Sequence, residues 1–322
     1  MEDLIENLAT DLSVTSTPCS SIPARFDLFK KKPCHQESRR AEFLSRQKDK
    51  RYDALQHARD LAQGFFPKGQ PSEKMDSSDS EEGVKPRRPP RSYRGQLMLS
   101  EWLLEVPDLK EYIVVPCPKG KRALLVASQG ITKLYARNGF NLHTFVSNLP
   151  GGSLNSNRQL NWKANDFTIL DVVYNDSVKT CYILDLVAWR SKPYYDSDTC
   201  FRFYWLRTQF TECAEQIASA KRKIKLEIVP SFEWNKDQLS ELLQAEKPPF
   251  EAEIDGMLFY HKDGHYIPGC CPLVGWLKPF MITEVLGIDV HPRFLEEIPS
   301  GYTTLKDKIT EKEKERSSGS RP

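Results

Sequence analysis

Six tryptophans and a small set of basic turns are the residues of this 322-residue chain whose types could do chemistry. An indole face stacks on a flat ligand, most strongly on a cationic one, while Lys and Arg on a tight turn, beside approachable backbone amides, can hold phosphate. Trp102 lies in MLSEWLLEVP and Trp276 in PLVGWLKPF, each beside segments that would reach a sheet edge, and Gly120, Lys121 and Arg122 set two cations on one turn. Both features have ordinary explanations as well, since most tryptophans pack in cores and basic hairpin turns are common. Catalytic signatures are lacking: the sequence has no G-x-x-x-x-G-K-[ST] loop, no G-x-S-x-G elbow and no H-E-x-x-H pair. His261 and His265 are four apart, but Asp263 and Gly264 form a turn between them, so no shared helical face and no metal site is expected. The eight cysteines, at 19, 34, 117, 181, 200, 213, 270 and 271, form no C-x-x-C pair, which points to reduced thiols in a cytosolic or nuclear protein.

Those residues need elements to position them. The length allows one sizeable core with appendages, and an apolar content of 39 % with 22 prolines suggests that part of the chain stays outside it. Lys and Arg number 46 against 44 Asp and Glu, so only local charge can argue for a nucleic-acid ligand. The opening MEDLIENLATDL is acidic where a signal peptide is basic, and no apolar run approaches the roughly 20 residues that span a bilayer, so neither secretion nor membrane insertion is expected.

Residues 1–64 form a first region, opening with Met1, Leu4, Leu8, Leu12 and Val14 among acidic and small polar residues. From Ser38 to Ala62 no Pro or Gly interrupts a continuous basic helix, and residues 25–60 carry eleven Lys/Arg against six Asp/Glu. Such a helix could await an acidic partner or lie on the protein's own surface. Residues 65–94 join an acidic Ser-rich block to a Pro-rich basic one and read as a disordered linker. Residues 95–293 have the composition of a folded domain. YIVVP and RALLVAS, joined by the turn at Pro118 to Lys121, predict one strand pair, and FTILDVVY and TCYILDLVAW a second. KIKLEIV and MLFYH predict further strands, Asn235 caps a helix over KDQLSELLQA, and FRFYWLRTQF reads as helix. The fold class is therefore α+β with a mainly antiparallel sheet, and residues 294–322 read as a disordered charged tail.

MLSEWLLEVP, CPKGKRALLVASQG, DFTILDVVYN with YILDLVAWR and FRFYW, and DGMLFYHKDGHYIPG followed by PLVGWLKPF resemble the snurportin family, in the same order. QKDKRYDALQHARDLA resembles that family's importin-β-binding segment, and the Met1/Leu4/Leu8 opening its exportin-binding start. The resemblance implies an adaptor, moving between cytoplasm and nucleus, that binds the 2,2,7-trimethylguanosine cap of U small nuclear RNAs and links the ribonucleoprotein to importin β. It also implies a cap-binding domain similar to the nucleotidyltransferase fold of mRNA guanylyltransferases and ligases, without cofactor or metal. Trp276 would be the platform for the cationic methylated base, Trp102 with Ser100 would meet the dimethylated amine, and Gly120, Lys121, Arg122 and Arg137 would hold the triphosphate bridge. Importin β would be met by Arg39, Arg40, Arg46, Lys48, Lys50, Arg51 and Arg59. The chain departs from the family at Arg137, where the pattern has Lys, and in its arginine run, which is reduced to Arg39 and Arg40 before Ala41 and Glu42.

The alternative is a nucleotidyltransferase, because that fold carries a nucleophilic Lys in K-x-D-G. CPKGKRALL lacks the Asp-Gly after a usable Lys, which disfavours catalysis. A third reading, an interaction module whose Trp and basic residues are only core and surface, would show no affinity for a methylated cap.

Overall fold

A computed structural model describes residues 36–49, 54–64, 93–154, 162–163, 165–213 and 224–310 of the chain. Two helices, α1 (Gln36–Asp49) and α2 (Ala54–Gln63), precede a two-sheet domain. The leucine-rich start lies outside the described residues, as does the linker over 65–92.

The first sheet has the strand order β1-β12-β11-β2-β10, built from β1 (Met98–Trp102), β2 (Tyr112–Pro118), β10 (Phe232–Glu233), β11 (Ile254–His261) and β12 (Gly269–Leu277). Within it β1 runs parallel to β12 and the remaining pairs are antiparallel. The second has the order β5-β4-β3-β6-β7-β8, from β3 (Lys121–Ser128), β4 (Ile131–Ala136), β5 (Asn141–Phe145), β6 (Thr168–Asn175), β7 (Thr180–Trp189) and β8 (Lys192–Pro193). A parallel strand, β9 (Lys225–Ile228), pairs with the first half of β7. The mainly antiparallel α+β class expected from the sequence is the one observed.

Lys119 and Gly120 carry the chain from one sheet to the other. A Cβ on Gly120 would fall 2.5 Å from the Tyr174 carbonyl oxygen, so glycine is what lets this turn lie against the end of β6. The two sheets meet where β2 packs on β6 and β7, and each of these strands is buried nearly throughout. Continuous apolar runs such as YILDLVAW follow from cover on both faces. Among the described residues, the helices α3 (Thr199–Glu212), α4 (Lys236–Gln244), α5 (Pro279–Leu286) and the single turn α6 (Pro292–Leu295) border the sheets. Asp198 caps α3 by accepting from Phe201 N, and Asn235 caps α4 as its position before KDQLSELLQA predicts.

Two expectations differ from the structure. YIVVP and RALLVAS do not pair: β2 lies in the first sheet between β11 and β10, and β3 in the second between β4 and β6. Residues 50–53, which join α1 to α2, lie outside the described residues; α1 lies on β12 and α2 on β3, β6 and β8. The charged tail is ordered as far as residue 310: Phe294 and Leu305 are 4 % and 2 % exposed, and Glu284 accepts from Tyr302 Oη and Leu305 N. Two apolar anchors in a polar run suffice to hold it down. Among the described residues, no helix is long and apolar enough to cross a membrane.

Candidate functional site

Strand register brings the two candidate stacking residues together. Trp102 on β1 is the partner of Trp276 on β12, and Ser100 is the partner of Cys271. Trp276 is in turn opposite Leu258 on β11, whose neighbour two residues on is Tyr260 opposite Val274. Residues two apart share a face, so Trp276, Leu258 and Tyr260 point the same way. That way is inward, because Tyr260 is buried within electrostatic reach of Arg122, Asp171 and Asp185 on the other sheet.

The tryptophans are closely covered, with Trp276 at 0 % exposure and Trp102 at 5 %. Gly256 makes room for Trp276: a Cβ there would overlap indole Cζ2 and Cη2. A base can therefore stack on Trp276 only after the indole or the groups covering it shift. Beside it, Lys278 Nζ donates to Asp255 Oδ1 at 2.5 Å in an ion pair less than a fifth exposed.

The basic turn spreads its cations over different tasks. Lys121 is exposed, and Lys119 Nζ donates to Glu253 at 2.9 Å. Arg122 turns inward and donates from Nε and Nη2 to the two oxygens of Asp171 (2.5 and 2.8 Å), with Tyr266 Oη donating to the same carboxylate at 2.8 Å. Burial works to lower the Arg122 pKa, and the Asp171 charge overcomes it, holding the guanidinium well above its ordinary value. Arg122 also donates to the carbonyl of Met98 (3.3 Å), tying the turn to β1 and so to Ser100 and Trp102. Arg137 is exposed at the end of β4, and its carbonyl accepts from Gly95 N, which places the β4–β5 turn beside the residues that lead into β1. Register and the Arg122–Met98 bond thus link Ser100, Trp102, Trp276 and Arg122 through β1, while Lys121 and Arg137 are exposed.

Arg39, Arg40, Arg46 and Arg59 are on the arm helices, the side chain of Lys48 is not described, and Lys50 and Arg51 lie outside the described residues. Arg39 donates to Glu101 at 2.6 Å, and Arg40, 3 % exposed, donates to the carbonyls of Pro272 (3.4 Å) and Glu105 (2.8 Å). Gln36 spans from Trp102 O (2.8 Å) to the amides of Leu104 and Glu105 (both 3.2 Å). Arg46 pairs with Glu42 on the exposed side of α1, and Arg59 is exposed.

Sequence reasoning missed Asp171, Asp185 and Arg202. Arg202 makes a bidentate pair with Asp185 at 2.8 and 2.9 Å, both side chains at 0 % exposure. A signal was present: TILDVVY and YILDLVAW each carry one carboxylate inside an apolar run, and a charge there needs a buried partner. Among the described residues, no group of His, Cys, Asp and Glu is arranged to hold a metal ion.

The structure is a two-sheet α+β domain with paired, buried tryptophans, preceded by two helices of a basic segment. The family model described as Snurportin1, m3G cap-binding domain, matches residues 96–279, and a second, Snurportin1, matches residues 24–60. The first alone spans more than half of the chain, which therefore belongs to the snurportin family of cap-binding nuclear import adaptors. Among solved structures, the ligase domain of LigD from M. tuberculosis is 15 % identical, with 56 % of this chain and 58 % of that one covered and a TM-score of 0.36. For the Chlorella virus DNA ligase-adenylate the values are 14 %, 57 % and 67 %, with a TM-score of 0.35. The chain thus spans less than two thirds of the LigD domain, and likeness at this level says nothing of its activity.

Proposed function

We propose that the two-sheet domain binds the 2,2,7-trimethylguanosine cap of U small nuclear RNAs, and that the basic arm links the bound ribonucleoprotein to importin β. The observation that carries this reading is the register of Trp102 against Trp276 inside the segment matched by the cap-binding family. Methylation at ring position 7 makes guanine cationic and suited to an indole face, and two methyls on the exocyclic amine replace donors with apolar surface for Trp102 to cover. Lys121 and Arg137 face the phosphates, and Arg122 organises the turn through Asp171. A leucine-rich start serving an exportin, and shuttling between cytoplasm and nucleus, complete the cycle. The domain acts without catalysis: Lys119, the nearest counterpart of a nucleotidyltransferase lysine, is followed by Gly120 and Lys121 and is bonded to Glu253.

Because α1 is held by Glu101, the Trp102 carbonyl and the Glu105 carbonyl, importin β has to displace the domain to take the arm. A tryptophan-fluorescence titration of the full chain with trimethylated and monomethylated cap dinucleotides tests the cap reading. Tighter quenching by the trimethylated cap, lost in Trp276→Ala, is expected. Equal affinity for the two, or quenching that survives in the variant, would overturn it.

A further inference from the structure

We propose that the outward face of α3, with the β7–β8 turn beside it, binds the single-stranded RNA that continues beyond the cap. This rests on the cap-receptor reading and extends it to a second surface. Helix α3 is apolar on two sides. Phe203 and Leu206 face the core with Arg202, while Phe201 is 41 % and Tyr204 61 % exposed, with Trp205 half-buried between them. Positions 201, 204 and 205 are three and four apart and form one stripe, where a surface helix ordinarily carries polar residues.

Two of the three rings share an orientation. Phe201 and Trp205 are stacked with centroids 6.1 Å apart and planes at 11°, and Tyr194, buried beneath the surface, lies against Phe201 at 6.1 Å and 28°. Cations border them: Lys192 Nζ stands 5.6 Å from the centroid of the Tyr194 ring, and Arg207 is exposed on α3. The β7–β8 turn adds Arg190, about half exposed and 3.6 Å from Asp166. Arg190 and Ser191 have φ of +47° and +65°, a two-residue turn that Asn-Gly makes without strain. Here it keeps an arginine instead, and backbone strain of this kind gathers at functional sites. Of the nearby carboxylates, Asp198 is turned onto the α3 N-terminus and Glu212 accepts from Gln209. Aligned ring faces interleaved with cations suit successive bases and their phosphates, where a protein partner would need apolar area without a common ring plane.

The path sets a length requirement. Thr199 and Arg202 both donate to Gly264 O, so α3 starts at the β11–β12 loop, and Trp276 lies at the far end of β12. Seven strand residues are on the order of 23 Å, or roughly seven nucleotides at stacked spacing. A cap dinucleotide cannot reach the patch.

The test compares a trimethylated cap dinucleotide, a capped single strand of about 12 nucleotides and its uncapped form, using the full chain, Phe201→Ala/Tyr204→Ala and Lys192→Gln. The capped strand should bind the wild type about 5- to 100-fold tighter than the dinucleotide, the range of one stacked base. The double variant should lose that gain with dinucleotide affinity unchanged, and Lys192→Gln should reduce it and flatten its salt dependence. A wild type with no gain, or a gain that survives the double variant, overturns the inference and leaves the patch to a protein. Should the dinucleotide itself fail to bind, the cap reading falls alone, and the uncapped strand decides this one by the same variants.

Discussion

Arg40 in the arm and Arg202 in α3 are both buried, yet they are held in different ways. Arg202 meets both oxygens of Asp185 and donates as well to the carbonyls of Ser197 (2.6 Å) and Gly264 (2.8 Å). Its charge is neutralised inside the core, where removing either partner strands the other. Arg40 donates to carbonyls and to Gln36, and its one carboxylate, Glu37, is 71 % exposed. That arginine can leave the domain without stranding a buried carboxylate. The domain interior is thus a fixed assembly, whereas α1 is a clasp that combines hydrogen bonds of Gln36 and Arg40 to backbone carbonyls with an ion pair between Arg39 and Glu101.

The interior should show the larger effects. Asp185→Ala leaves the Arg202 guanidinium buried without its counter-ion, and a loss of about 3–5 kcal/mol is expected in urea unfolding. Replacing both, with Arg202→Met and Asp185→Leu, should return most of it. A single variant within about 1 kcal/mol of the wild type would show that the pair is not what holds α3 to the sheets.

Gly256→Ala is expected to act next in size, at about 1–3 kcal/mol, because the added methyl must displace the Trp276 indole. Its informative consequence is local. Tryptophan emission should change and cap quenching weaken more than stability falls. Unaltered cap affinity would mean that Trp276 can be seated in more than one way.

Much of this interior was legible in the sequence. The strands β2 and β3, the β6–β7 pair, the Asn235 cap and helix α3 follow from alternation, turn residues and capping chemistry, but the expected pairing of β2 with β3 does not form, because the turn at Lys119 and Gly120 crosses between the sheets. Strand β1 was not, because Met98–Trp102 is short and carries Ser100 and Glu101 in buried positions that only the parallel pairing with β12 and the approach of Arg39 make tolerable. The docking of α1 on β12 and of α2 on β3, β6 and β8 was hidden for a related reason: the charge pattern allows a partner or the protein's own surface, and tertiary packing alone decides between them. Trp102 and Trp276 could be chosen as candidates from the family resemblance, but their mutual register and near-complete burial belong to the folded sheet.

The arm should be easier to move. Arg40→Ala removes donors to Pro272, Glu105 and Gln36 together, and about 1–3 kcal/mol of docking free energy should go with them. Hydrogen exchange over residues 36–49 should accelerate while the β6–β7 amides keep their protection. Equal acceleration in both regions would erase the distinction between clasp and core. Arg46→Ala, which removes only the exposed pair with Glu42, serves as the control and should change docking by a few tenths of a kcal/mol.

The smallest expected effect is that of pH on the same junction. His57 on α2 shares a 2.9 Å hydrogen bond with Gln96 and stands edge-on to Tyr195, and the amide of His265 donates to Gln47 on α1. Burial lowers the pKa of both rings below the ordinary 6.5, opposed at His57 by Gln96 and Asp60 and reinforced at His265 by Arg202. Well above pH 6.5 both are neutral whether the arm is docked or released, and neither affects the balance. As pH falls below 6.5 the exposed form takes up protons first, so docking weakens until the pKa of the docked form is reached. Exchange over 54–64, corrected for the intrinsic rate, should therefore be less protected at pH 5.5 than at 7.5, and His57→Gln should reduce the difference. Protection that rises on acidification would mean that Asp60 and the neighbouring carboxylates outweigh burial, and that the arm is held by charge after all.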